Sequence, residues 1–206
     1  MSARLLVLAA LAATAACDRG RIDATAAEAG QARQPARVER ALFAGGCFWS
    51  TEHDLEQVPG VVAAVSGFSG GTLANPTYRQ VVAGGTGHLE AVLVTYDPAR
   101  ISYGQLVRRF LRTIDPTDAG GQFCDRGESY RTAVVVSNQG QLREARAALA
   151  EAARTLGRPV ATPVRRAGRF YEAGAEHQEY ARRNPAHYRR YRIGCGRDAR
   201  LREVWG

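Results

Sequence analysis

The chain contains no lysine; all 28 of its basic residues are arginine. That absence excludes Schiff-base chemistry, which needs a lysine amine. It also changes how the formal net charge of +8 and the pI near 9.8 are read. A basic balance can mark a nucleic-acid partner, but arginine alone, beside abundant alanine and glycine, reads as the imprint of a GC-rich genome. Cysteine is scarce too, four in 206 residues. Cys47, Cys124 and Cys195 have no CxxC spacing, and the histidines have no HxxxH spacing, so no metal-site pattern is present. Past the first residues there is no apolar run long enough to span a bilayer.

The hydrophobic share of 45% and charged share of 23% are those of an ordinary globular protein, and the length suits one domain. Residues 1–17, "MSARLLVLAALAATAAC", have a short basic start, an apolar stretch and then small residues, the layout of a signal peptide. Cys17 stands where the acylated cysteine of a lipoprotein would be, although Thr14 is a poor substitute for the usual leucine. The alternative is a soluble periplasmic product cut near Ala15 or Ala16. Residues 18–38 are polar and read as a disordered linker, leaving 39–206 as the domain. Export permits disulfides. Without Cys17, three cysteines remain, and an odd number leaves one thiol free to react.

The pattern predicts a strand over 38–44, a helix from Cys47 to Gln57 and a strand in "VVAAVSGFSGG". A short helix follows in "NPTYRQVVAGG", with Asn75 as its cap and Pro76 at its first position. "HLEAVLVTYDP" alternates as a strand, with Leu89, Ala91, Leu93 and Thr95 on one face and Glu90, Val92, Val94 and Tyr96 on the other. Residues 102–114 form an amphipathic helix with the stripe Leu106, Val107, Phe110, Leu111 and Ile114. "YRTAVVV" is a strand, and residues 138–157 a long helix with Leu142, Leu149 and Leu156 in line. "ATPV" and "GRFYEA" are expected to pair at an edge, and the arginine-rich tail "RIGCGRDARLREVWG" to be irregular and mobile. The elements mix without regular strand–helix alternation, which points to an α+β sandwich, a mixed sheet covered by helices.

The stretch "FAGGCFWSTEHD" concentrates the chemistry. A cysteine at the first turn of a helix faces unpaired backbone N–H groups that favour its thiolate. The two preceding glycines allow the turn and the approach of a substrate. Phe48 and Trp49 beside the sulfur suit a small apolar group such as a methyl on sulfur. A thiolate attacking a sulfoxide needs a neutral acid to protonate the departing oxygen. Glu90, on an apolar strand face, fits that need better than Glu52, which serves the helix end or a nearby arginine.

"GCFWSTE", "PGVVAAVSGFSGG", "NPTYRQVVAGGTGHLEAVLVTYDP" and "DRGESYRTAVVV", in this order, resemble the peptide methionine sulfoxide reductase A family from about Ala41 to Tyr188. The resemblance implies a ferredoxin-like α+β sandwich that reduces the S-epimer of methionine sulfoxide, free or in proteins, with no bound cofactor. Cys47 would be the nucleophile, Phe48 and Trp49 the methyl pocket, Glu90 the acid, and Tyr78, Asp125 and Tyr130 the substrate-orienting groups. Two positions depart from the family pattern: Ile114 stands where a histidine is frequent, and Ser129 where glutamine is common. His177, in "AEHQEYARRNP", is read as structural.

Attack leaves Cys47 as a sulfenic acid, which a second thiol must resolve. Cys195, between two glycines in the tail, is the expected resolving thiol; Cys124, the rival, is expected to be a small buried loop side chain. The resulting disulfide would be reduced by a thioredoxin-like partner, and a monomer is expected. Competing readings are a cysteine hydrolase using His88 or His177, and nucleic-acid binding through "HYRRYR". Phe-Trp against the sulfur argues against the first, and export against the second.

Overall fold

The computed structural model describes residues 37–206. The leader read over 1–17, Cys17, and all but the last two residues of the 18–38 linker lie outside the described residues. In chain order the elements are β1 (Glu39–Gly45), α1 (Phe48–Glu56), β2 (Val61–Ser69), α2 (Tyr78–Val82), β3 (Leu89–Tyr96), α3 (Tyr103–Leu111), β4 (Gly121–Gln122), β5 (Asp125–Arg126), β6 (Thr132–Val136), α4 (Gln139–Leu156), β7 (Val164–Arg166), β8 (Phe170–Glu172), α5 (Tyr180–Arg183), α6 (Pro185–Gly194) and α7 (Arg197–Trp205).

Alternation drives the central strands to pair. The six-stranded sheet has the order β7-β6-β1-β3-β2-β8. Its inner four strands, β6-β1-β3-β2, are antiparallel neighbours, and α1 and α3 make their crossovers. This is the expected ferredoxin-like α+β arrangement. Val92, Val94 and Tyr96 of β3 enter the main core with Phe43, Phe110 and Leu106; Leu89 and Ala91 enter a second cluster on the other face. Each large apolar side chain so buried contributes about 1.5–3 kcal/mol. Register carries function here: Glu90 sits opposite Phe68, and a one-residue slip would turn it to the other face.

The amphipathic helix α3 buries its expected stripe, with Phe110 stacked on Phe43 at 4.6 Å. A capping box of Ser102 and Gln105 starts it. On α4 the buried face is Ala145, Ala148, Leu149 and Ala152. Leu142 and Leu156 are only half-buried, because residues seven apart drift by about 20° per heptad around a straight helix.

Three expectations fail. The cap of α2 is Thr77, in a capping box with Gln80, while Asn75 takes a left-handed φ of 50°. A hydroxyl positioned one residue before the helix reaches the third amide; Asn75 lies too far upstream. Secondly, β7 and β8 do not pair with each other: β7 joins β6 in parallel and β8 joins β2. Five strand spacings across a flat sheet amount to about 24 Å, yet residues 167–169 let the chain reach only about 14 Å. The sheet is therefore curled, and Gly70 beyond β2 lies near Arg165 of β7, whose Nη1 would be 3.7 Å from an added Cβ. Thirdly, the tail is helical. Cys195 is the C-cap of α6, and Arg197 of α7 is 1% exposed, donating to the Thr113 carbonyl and facing Asp54 and the Phe123 ring. Carboxylate and aromatic partners, invisible along the sequence, hold this arginine inside.

Candidate active site

The site begins where β1 turns into α1. Gly46 has φ +81°, and a Cβ there would be 2.6 Å from the Gln122 Cβ, so only glycine fits. The turn makes Cys47 the N-cap of α1, with its carbonyl accepting from the Ser50 and Thr51 amides. One residue on, the Phe48 N–H donates to Glu90 Oε2 at 2.9 Å. Sulfur and carboxyl thus share one helix end, with Cys47 6% and Glu90 1% exposed.

Burial dominates the electrostatics. It pushes the Glu90 carboxyl up to about 8, against the stabilising Phe48 N–H, so the acid is protonated at neutral pH. Burial, and then the Glu90 and Asp125 carboxylates, also raise the Cys47 thiol. The expected lowering of that thiol by the helix end is therefore not found: a nearly enclosed sulfur loses more from missing water than it gains from one helix end.

Around the sulfur the sequence-predicted residues come together. The Phe48 ring neighbours Phe68, Tyr78 and His177 at centroid distances of 5.8, 6.1 and 5.3 Å. Burial raises the Tyr78 phenol to about 12, and the Tyr130 hydroxyl interacts with it. Asp125 accepts a hydrogen bond from Tyr191, whose hydroxyl also contacts the Cys47 sulfur. Ile114 is fully buried below α7, its carbonyl accepting from Trp205. Ser129 is buried in the turn before Tyr130.

Sequence reasoning gave His177 a structural place and missed Tyr180 and Tyr191. Trp49 Nε1 donates to His177 Nδ1 at 3.3 Å, and the His177 ring lies 4.3 Å from that of Tyr78. Tyr180 covers the Trp49 face at 3.8 Å. The available signal was the spacing of Tyr188 and Tyr191, one helical turn apart in "HYRRYR"; both point inward, Tyr188 to Ser50 and Tyr191 to Asp125.

The cysteines differ from expectation. Cys124 and Cys195 form a disulfide with Cα atoms 4.9 Å apart, and Cys47 is a free thiol. Cys124 is exposed, not a buried loop side chain. It occupies the two-residue tip of the β4–β5 hairpin, after Phe123 at φ +53°. A tight tip turns its second residue outward, which loop composition alone does not reveal. The Asp125 carboxylate lies within 4.8 Å of both disulfide sulfurs.

Glu52 is 1% exposed and accepts from the Glu179 amide, and burial raises it to about 7. Glu52 and Glu90 both sit above their unfolded value of 4.5. Folding thus favours their protonated forms, and the stability this supplies is lost progressively as pH rises from the unfolded value of 4.5 to about 7 for Glu52 and about 8 for Glu90. Urea midpoints of the disulfide-intact protein should fall from pH 5 to 8.5. In Glu52→Gln the fall should shrink by on the order of 2–3 kcal/mol. Parallel pH curves for the two proteins would contradict this.

Comparison with known proteins bears on the whole of this constellation. The family model described as peptide methionine sulfoxide reductase matches residues 39–206. A peptide methionine sulfoxide reductase MsrA 2 from Caulobacter vibrioides is 53% identical over 171 residues, covering 82% of this chain and 87% of the relative. The methionine sulfoxide reductase A structure of Corynebacterium diphtheriae superposes with TM-score 0.68 at 34% identity, covering 74% of this chain and 77% of that one. Mxr1 from Saccharomyces cerevisiae in complex with Trx2 superposes with TM-score 0.51 at 25% identity, covering 72% and 88%. With its whole described domain matched, from the Gly-Gly-Cys turn to the closing helix, the chain belongs to the peptide methionine sulfoxide reductase family.

Proposed function

We propose that the chain reduces the S-epimer of methionine sulfoxide, free or in proteins, with Cys47 as nucleophile and Glu90 as acid. The observation that carries this is a buried carboxyl and a buried thiol at one helix end inside an aromatic box. The substrate methyl would rest against Phe48 and Trp49, and Tyr78, Asp125 and Tyr130 would orient the sulfoxide. As the Cys47 sulfur attacks, Glu90 gives its proton to the sulfoxide oxygen and regains one from the thiol. The substrate's S–O bond breaks, the protonated oxygen passes to the Cys47 sulfur, and methionine leaves a sulfenic acid at Cys47.

Cys195 then attacks the sulfenic sulfur, releasing water and forming a Cys47–Cys195 bond. Cys124 attacks Cys195 in turn, which restores the Cys47 thiol and yields the disulfide seen in the structure. A thioredoxin-like dithiol reduces that exposed bond; the Trx2 complex of the yeast relative supports such a partner. Cys195→Ser should form one methionine per enzyme and then stop with this reductant. Cys124→Ser should still turn over, several-fold more slowly, because the reductant must then reach a bond to the buried Cys47. Multiple-turnover assays on both variants test the relay; full-speed turnover of Cys195→Ser would remove Cys195 from it. The leader reading places the enzyme in the periplasm, soluble or anchored through Cys17, which fractionation and the mass of the mature N-terminus test.

A further inference from the structure

We infer that the Cys124–Cys195 disulfide is a latch on the reaction site: when formed, it holds Tyr191 over Cys47 and masks the nucleophile, and when reduced it releases both. Two parallel ties join the end of α6 to the β4–β5 hairpin. One is the disulfide; the other is the hydrogen bond from Tyr191 to Asp125, the residue next to Cys124. Cys195 and Tyr191 lie one helical turn apart, and the Cys195 amide donates to the Tyr191 carbonyl at 2.9 Å. Fixing Cys195 therefore fixes the turn that carries the Tyr191 phenol. That phenol donates to Asp125, neighbours the Cys47 sulfur, and meets the Trp49 ring nearly edge-on with centroids 6.0 Å apart. A sulfoxide sulfur has to reach bonding distance of Cys47, which is 6% exposed with the phenol in place.

The latch has a hinge. Gly194 and Gly196 flank Cys195; Gly196 has φ +65°, and a Cβ at either glycine would meet nothing within 4 Å. Upstream of the moving turn, α6 keeps the anchor of Tyr188 on Ser50 after reduction, while the Arg192–Asp54 pair, on the same turn as Tyr191, must part as that turn moves. Opening then moves the last turn of the helix, which carries Tyr191, and leaves the turns before Tyr188 in place. A dithiol supplies two electrons and two protons, the S–S bond breaks, two thiols form, and the dithiol leaves as a disulfide. The enzyme is then charged before its nucleophile is exposed, and Cys47 is shielded when reductant runs out. Only the identity of the reductant rests on the function proposed above.

The test is alkylation of Cys47 by iodoacetamide, followed by peptide mass mapping so that Cys124 and Cys195 are counted separately. Disulfide-intact enzyme is compared with enzyme reduced by a phosphine and desalted. Cys47 should react at least about tenfold more slowly in the disulfide form, since reaction must await local opening. In disulfide-intact Tyr191→Ala it should react at the reduced enzyme's rate. Equal rates in oxidised and reduced wild type overturn the latch. A slow Cys47 in folded, oxidised Tyr191→Ala overturns the assignment of the mask to Tyr191. If that variant fails to fold, the wild-type pair still decides the latch. The readout needs no sulfoxide, so its failure leaves the functional reading standing, and failure of that reading leaves the latch standing.

Discussion

Replacing Cys47 with serine is expected to remove sulfoxide reduction while leaving the fold as stable as before or more so. A hydroxyl is a poor nucleophile toward sulfur, and among the described residues Cys47 is the only cysteine at the start of α1 beside Glu90. Activity should drop below about a thousandth of the wild type, as when an essential nucleophile is removed elsewhere. Stability should hold because α1 now lacks a side-chain cap, and serine is among the favoured N-cap residues, worth about 0.5–2 kcal/mol over alanine. Sulfoxide turnover and urea midpoint, measured on one preparation, separate chemistry from folding. Folded Cys47→Ser with a tenth of the activity would end the assignment.

Glu90→Gln should slow the first chemical step by about 10²–10⁴-fold, the range of general-acid contributions. The amide oxygen of glutamine can still accept from the Phe48 N–H that holds Glu90 now, so the turn into α1 survives. What it lacks is the proton for the departing oxygen. The pH profile gives a second handle, because the Glu90 carboxyl is raised to about 8. Sulfenic acid formation in the wild type should be fast below that pH and fall above it, where the acid has ionised. The variant should show no such fall. An unchanged single-turnover rate in the variant at pH 7 would assign the proton to another group.

Much of this site was legible because alternation and glycine speak locally. The period of two in "HLEAVLVTY" put Glu90 among Val92 and Val94, and the strand register then carried it to Phe48. "GGC" announced a turn that the Gln122 side chain makes obligatory for glycine. What could not be read is long-range. Tyr191 and His177 reach the site from the last quarter of the chain, where arginines suggested a solvated tail. Arg192 and Arg197 are instead drawn in by Asp54, and that packing converts the tail into helices bearing Tyr188 and Tyr191. The wrong edge pairing has the same root, since the curl of a six-stranded sheet is set by its twist and packing and has no local signature. The thiol's raised pKa is another case: the helix end is visible in the pattern, and the degree of enclosure is not.

The most direct test of the central claim isolates the first step. Reduced enzyme carrying Cys124→Ser and Cys195→Ser has Cys47 as the only thiol among its described residues. It is mixed with the S-epimer of methionine sulfoxide without reductant, trapped with a sulfenic-acid reagent and mapped by mass. The account predicts one methionine formed per enzyme, one trapped sulfenic acid at Cys47, and neither product with the R-epimer. Methionine formed without an adduct at Cys47, or no methionine from the S-epimer, would contradict it.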